Sequence, residues 1–294
     1  MVKFRRTFWS ILLIVSVLSF WGTGYTQERE PDVIFVPTPE EVVMEMLNTA
    51  RVTQNDIVYD LGCGDGRIVI TAAKIFGARG LGVDIDPVRI KASNENAQKI
   101  GVTDRVRFIE RDLFKTDISE ATVVFLYLLT ELNIKLRPKL FKELKPGTRI
   151  VSHEFDMGDW KPDKAEVVRN VKLLYTPNYP TDKDVDFYYW VIPANVAGIW
   201  RWNMAISKGK QEYTLRLVQK FQEISGVVNV NGQEIAITDA RLVGDQLSFT
   251  LRDYMSKEKA VIRFNGRISD DTIQGLVEAG PSQQIYNWTA RRNP

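Results

Sequence analysis

The sequence predicts an α/β fold, a doubly wound and mostly parallel seven-strand sheet, followed by a small all-β antiparallel barrel. From Val36 to Pro193, short apolar runs of strand type alternate with segments of helical periodicity, which is the pattern of a parallel sheet covered on both faces. From Ala197 the helical period disappears and about eight short alternating segments follow, enough to close a small barrel and remove its edges. A third observation locates the working part. Ile57-Val58-Tyr59-Asp60-Leu61-Gly62-Cys63-Gly64-Asp65-Gly66-Arg67 ends a strand in an acid, passes through glycines at alternate positions and opens a helix. Such a turn admits close approach of a ligand and access to amides at the helix start.

Composition bounds the partners. The chain of 294 residues fits two domains, and 44% hydrophobic with 26% charged residues is ordinary for a soluble core. A net charge of +2 makes no case for nucleic acid. One cysteine, Cys63, rules out an internal disulfide and a cysteine-based metal cluster, and it reads as a small filler. No metal site is expected.

Residues 1–26 read as a targeting segment. Lys3, Arg5 and Arg6 precede an apolar run from Phe8 to Trp21, followed by Gly22-Thr23-Gly24. The run falls short of the ~20 residues that span a bilayer and fits a secretory signal, with an uncleaved membrane anchor through residues 8–21 as the alternative. Arg5-Arg6-Thr7-Phe8 also matches part of a twin-arginine signal. Either reading implies export to, or anchoring in, a bacterial envelope. Residues 27–35 form a linker, polar from Gln27 to Asp32.

The elements follow in order. Thr38 is a candidate N-cap, with Pro39 at the first helical position and Glu41 closing a capping box; Val42, Val43, Met46 and Leu47 give the apolar face. The helix after the glycine turn runs to about Phe76 and stops at Gly77. Gly80 to Asp84 is a second strand, Asp86-Pro87 starts a helix ended by Gly101, and Val106 to Glu110 is a third strand leading to Arg111-Asp112-Leu113-Phe114. Thr122–Tyr127 and Thr148–His153 read as strands around a helix, Glu131–Leu144, in which Pro138 predicts a kink or a break. Val168–Tyr175 and Phe187–Ile192 supply the last pair.

Asp60 stands where a dinucleotide fingerprint has its first glycine, so it leaves no room for a pyrophosphate and suits a positive ligand group. Asp84 ends the second strand about twenty residues on, where such folds hold ribose hydroxyls. With Asp112 after the third strand, the motifs resemble the class I, seven-strand S-adenosylmethionine-dependent methyltransferases over roughly Val36 to Pro193. The resemblance implies S-adenosyl-L-methionine as cofactor. Asp60 would face its methionine amino group and Gly62 and Gly64 its sulfonium side. Asp84 would take both ribose hydroxyls, Asp112 would accept from the adenine amino group, Leu113 would give its amide to the ring edge, and Thr38 would help close the pocket.

The acceptor side follows the fourth strand, in Leu126-Tyr127-Leu128-Leu129-Thr130-Glu131-Leu132-Asn133. It lacks the Asn-Pro-Pro-Tyr or Asp-Pro-Pro-Tyr signature of nucleic-acid and glutamine amino methyltransferases. With Val36-Pro37-Thr38-Pro39 it is most similar to a protein-lysine methyltransferase subgroup that includes the mitochondrial enzyme acting on the ATP synthase c-subunit. That implies a protein substrate, with Tyr127 and Glu131 as candidates to position an amine and remove its proton while the methyl group transfers by in-line displacement. His153, the only histidine, is a further catalytic candidate, and Asp156 and Trp160 are candidates to shape the acceptor pocket.

In residues 197–293, Asn231-Gly232, Gly244-Asp245, Asp270-Asp271, Lys208-Gly209-Lys210 and Gly280-Pro281-Ser282 are turn signals. Gly198-Ile199-Trp200 and Trp288-Thr289-Ala290-Arg291 resemble the closure of a lipocalin-like barrel, with an arginine stacked on Trp200 and an interior filled by side chains. One conflict stays open: the cofactor is cytoplasmic, whereas the N-terminus directs the chain to a membrane. The alternative function is an exported binding protein whose barrel does the work on a methyltransferase scaffold. A nucleotide-dependent oxidoreductase is disfavoured by Asp60.

Overall fold

In the computed structural model, which describes residues 33–172, 182–205, 210–252, 261–280 and 283–293, the apolar runs pair as one sheet. The targeting segment, residues 173–175 of the expected sixth strand, and the Lys208-Gly209 and Pro281-Ser282 turn positions lie outside those residues. The strands are β1 (Ile57–Leu61), β2 (Arg79–Asp84), β3 (Val106–Glu110), β4 (Val123–Leu126), β5 (Arg149–His153), β6 (Lys164–Lys172) and β7 (Asp182–Val191). They lie in the order β3-β2-β1-β4-β5-β7-β6, parallel except β7, which runs antiparallel to both neighbours. Successive residues face opposite sides. Val58, Val123 and Phe125 pack with α1 (Glu40–Thr49) and α2 (Arg67–Phe76). Tyr59, Val124 and Leu126 pack with Leu136 and Leu140 of α4 (Thr130–Glu143). Burial on both faces is why these strands read as unbroken apolar runs.

Three local expectations are corrected. Helix α1 begins at Glu40 without a side-chain cap; Thr38 is drawn into a buried contact instead. Helix α4 is not broken at Pro138, which lies on its exposed side, where the carbonyl it leaves unpaired can meet water. Strands β6 and β7 each begin earlier in the chain than expected. The edge strand β6 is mostly exposed and polar, so it carries little apolar alternation.

Eight further strands close on themselves: β8 (Gly198–Ala205), β9 (Lys210–Lys220), β10 (Glu223–Val230), β11 (Gln233–Val243), β12 (Gln246–Arg252), β13 (Val261–Ser269), β14 (Thr272–Ala279) and β15 (Gln284–Asn293). The barrel core is aromatic. Trp202 stacks on Tyr213 at 5.2 Å, Phe249 on Phe264 at 4.7 Å, and Trp288 meets Phe264 edge-on at 5.0 Å. The barrel closes where β15 pairs with β8, and there the Arg292 guanidinium lies 4.4 Å from the centre of the Trp200 ring and donates to the carbonyls of Ala197 and Asn195. The expected tetrapeptide ended at Arg291. Trp288 and Ala290 are buried, so period two carries the same face on to residue 292.

The sheet and barrel meet at the turn between β9 and β10. Phe221, with φ 56°, sets its ring 5.9 Å from Trp160 and 5.7 Å from Phe141. Trp160 Nε1 donates to Gln222 Oε1 at 2.8 Å, and Gln222 Nε2 donates to the Lys161 carbonyl at 2.7 Å. Trp160 therefore belongs to this seam, and its indole nitrogen faces the barrel.

Arg292→Ala is expected to lower unfolding stability in denaturant titration by about 2 kcal/mol, since two carbonyls lose a charged donor. Arg292→Lys is expected to recover little of this, because an ammonium cannot span both carbonyls and stack on an indole.

Candidate functional site

The strand order reverses between β1 and β4, and at that switch the carboxyl ends of parallel strands open a crevice. Register places the expected residues along it. Asp84 ends β2, Asp60 on β1 is level with Gly82 and Phe125, and Leu61 is level with Leu126, so Tyr127 follows beside the glycine turn. Ser152 pairs with Leu126, which brings His153 and Glu154 next in line. The edge reads Asp112, Asp84, Asp60, Tyr127, then His153 with Glu154.

The glycines are required by geometry. Gly62, Gly64 and Gly66 have φ of 92°, 55° and 80°, which disfavour any side chain. A Cβ on Gly64 would also lie 2.2 Å from the Phe35 ring. Phe35, inside the expected linker, thus packs on the turn, and the Arg89 guanidinium lies 4.2 Å above its ring. The amides of the glycine loop itself are taken up. Gly62 and Cys63 donate to the Val83 carbonyl at 2.8 and 3.0 Å, Gly64 to Asp84 Oδ2 at 2.9 Å, and Gly66 to the Cys63 carbonyl at 2.9 Å. These amides are occupied within the protein, so they do not form a phosphate cradle.

Asp60 is 3% exposed, and no donor among the described residues hydrogen-bonds its carboxylate. Burial, then the negative charges of Asp84 and Asp65, push its pKa up to about 8. Asp84 accepts from Gly64 and, at 3.0 Å, from Asp86; burial still raises its pKa, and each oxygen keeps a lone pair for a hydroxyl. Asp112 Oδ1 accepts from the Phe114 amide at 2.9 Å and heads the 3-10 turn Leu113–Lys115, where Leu113 is half-buried. Asp86 caps α3 (Pro87–Ile100) through the Val88 amide at 2.8 Å. Cys63 is buried, and that burial pushes its thiol pKa up, as suits a filler. A buried carboxyl group that meets no cation among the described residues, beside two more acids, fits a ligand carrying an ammonium and a sulfonium and two ribose hydroxyls. It does not fit a pyrophosphate.

At the other end of the crevice the structure links Thr38, His153, Tyr127 and Glu154. The Thr38 hydroxyl is hydrogen-bonded to His153 Nδ1 at 3.1 Å, and its carbonyl accepts from Arg67 Nη1 at 2.7 Å. His153 is 2% exposed, and its Nε2 has no partner among the described residues. Burial, then the nearby Lys183 charge, outweighs the attraction of Glu154 and lowers its pKa to about 4, so the ring is neutral. The Tyr127 ring lies 3.9 Å from it, centre to centre. The Tyr127 hydroxyl donates to Glu154 Oε2 at 2.9 Å, and burial beside that carboxylate keeps the phenol protonated. Burial raises the Glu154 pKa, but hydrogen bonds from Lys183 and Tyr127 outweigh it and hold it low.

Glu131, expected with Tyr127 to position the acceptor amine and remove its proton, is exposed in the first turn of α4; the carboxylate hydrogen-bonded to Tyr127 is that of Glu154. Asp156 is also exposed, and its Oδ1 accepts from the Gly158 amide at 3.1 Å and from the Thr130 hydroxyl at 3.3 Å, tying its own loop to α4. Sequence reasoning missed Phe35, Arg67, Glu154 and Lys183. The one available signal was that Glu154 directly follows a strand end.

The profile of the ANTKMT methyltransferase domain matches residues 60–164. A protein-lysine N-methyltransferase of Saccharolobus islandicus is 53% identical over 147 residues, 50% of this chain and 91% of that protein. The ATP synthase c-subunit lysine N-methyltransferase of Xenopus laevis is 33% identical over 129 residues, 44% of this chain and 56% of that protein, so the chain spans about half of this vertebrate relative. A solved structure described as an RNA methyltransferase from Salinibacter ruber in complex with S-adenosyl-L-homocysteine is 50% identical, covering 55% of this chain and 96% of that one, with a TM-score of 0.48. With the sheet order and the acid-glycine crevice, the archaeal match shows that this chain belongs to the ANTKMT-type family of S-adenosylmethionine-dependent methyltransferases.

Proposed function

We propose that the methyl acceptor is a protein lysine, received at the ends of β4 and β5. The observation that carries this is the Tyr127–Glu154 pair beside the glycine turn: an ionised carboxylate, fixed by a phenol, at the place where the acceptor must arrive. A fixed negative charge attracts an ammonium and repels a nucleic-acid backbone. The identity with the archaeal lysine enzyme supports the same reading.

When bound, the cofactor supplies an activated methyl group. Asp60 would hold its amino group, Asp84 its ribose and Asp112 its adenine. The chain's own part is to bind, orient and exclude water, with the amine nitrogen displacing the sulfonium sulfur in line. Glu154 is too acidic to keep a proton taken from a lysine of pKa ~10.4, so it orients the ammonium while the proton leaves to water. Tyr127 holds that carboxylate in place.

Calorimetric titration with S-adenosylmethionine is expected to show micromolar binding that Asp84→Ala abolishes; a folded wild-type chain that does not bind would sink the enzyme reading. Binding is also expected to release protons at pH 7, visible as a dependence of the measured heat on the buffer's ionisation enthalpy. Asp60, protonated below about 8 in the free protein, must ionise to meet a cation.

The same raised pKa has a stability sign. An acid whose folded pKa exceeds its unfolded value contributes stability that is present at low pH and lost as pH rises toward 8. Asp60→Asn is therefore expected to raise the melting temperature of the ligand-free protein at pH 8 while abolishing cofactor binding.

With a lysine peptide, kcat/KM is expected to climb through pH 7 to 9 as free amine forms, without an imidazole limb near 6.5, since His153 is already neutral there. A limb near 6.5 lost in His153→Gln would instead make this histidine the base.

A further inference from the structure

Glu154 already holds a lysine of this chain. Lys183 stands near the start of β7, which pairs with β5 and whose Asp186 carbonyl accepts from the Glu154 amide at 2.9 Å. The Lys183 ammonium donates to Glu154 Oε1, and the other oxygen of that carboxylate accepts from the Tyr127 hydroxyl at 2.9 Å. Tyr127 in turn follows the β4 residue level with Leu61, next to the glycine turn. A long, unbranched cation of the chain itself is thus bonded to the carboxylate placed to receive an acceptor ammonium.

Lys183 is also only lightly held. Its side chain is 54% exposed, and the pair with Glu154 is the one contact of its ammonium among the described residues. An exposed ion pair holds a lysine only weakly, and its four-carbon stem can extend from Glu154 toward Tyr127 without disturbing a packed core.

We propose that Lys183 is a methyl acceptor of this chain, modified in its own methyltransferase site. The proposal rests on the lysine reading given above. The Lys183 ammonium gives one proton to water. Its nitrogen lone pair forms a bond to the methyl carbon as the carbon–sulfur bond breaks, and the electron pair of that bond stays on sulfur, leaving S-adenosylhomocysteine. Repetition up to three times removes every N–H donor while keeping the positive charge. Trimethylated Lys183 can no longer hydrogen-bond Glu154, which is then open to an acceptor lysine from another protein.

The test uses the full chain, purified and incubated with S-adenosylmethionine carrying a deuterated methyl group, and maps the label by peptide mass spectrometry over a tenfold range of protein concentration. Label on Lys183, in a fraction that at a fixed time does not change with concentration, is the expected result. In Lys183→Arg that label is expected to vanish while cofactor affinity measured by calorimetry stays within twofold. Label on an added lysine peptide or on other lysines of the chain, with Lys183 unmodified, overturns this proposal and leaves the lysine reading standing. Cofactor binding with no label on any lysine overturns both. A labelled fraction at Lys183 that, at a fixed time, rises with protein concentration overturns modification within its own site.

Discussion

Asp60 puts a carboxyl group into a buried position where no cation among the described residues meets it, so it ionises only with a ligand cation, and much of the crevice is arranged around that fact. Acids at residues 65 and 84 add to the negative field, and the amides of Gly62, Cys63, Gly64 and Gly66 are occupied by protein oxygens. The result is a cleft whose electrostatics ask for a cation and whose hydrogen-bonding groups offer acceptors more than donors. Such a cleft discriminates by sign before it discriminates by shape. A phosphate-bearing ligand would meet repulsion where a sulfonium-bearing one meets attraction, although the surrounding sheet and glycine turn are common to proteins that bind either.

The crevice is a line with two ends, and different long-range contacts fix each end. Phe35 and Arg67 fasten the segment before α1 over the glycine turn, while Thr38 carries that segment on to His153. Beyond β5 the chain enters a loop that is held on one side by Asn133 and Arg137 of α4, which donate to the carbonyls of Asp156 and Met157. On its other side the barrel turn holds it through Gln222 and Phe221. The barrel is therefore coupled by direct hydrogen bonds to the segment that follows Glu154.

What the sequence made legible was local. Asp60, the glycines, Asp84 and Asp112 each occupy a strand end or a tight turn, where the backbone path fixes the direction of the side chain within a few residues. The alternation of the barrel strands was readable for the same reason, including the aromatic closure, although the stacking arginine proved to be residue 292. What was not legible depends on separation along the chain. Thr38 looked like a helix cap because its neighbours suit one, yet a histidine 115 residues away claims its hydroxyl. Glu131 is near Tyr127 in sequence, but the carboxylate that reaches its hydroxyl is Glu154, just past the end of the neighbouring strand β5. Trp160 follows the acceptor loop and still turns away from it, toward a glutamine 62 residues on.

The seam between sheet and barrel has an optical consequence. Trp160 has no exposed surface and stands 4.6 Å from Phe141 and 5.8 Å from Trp190, while its indole N–H is bonded to a residue of the barrel. Indoles fixed this closely in an asymmetric surrounding give near-ultraviolet circular dichroism, and loss of the hydrogen bond and of the dry surroundings shifts indole emission. The molecule therefore carries an intrinsic chromophore at its own joint, able to report whether the barrel sits against the loop that follows Glu154.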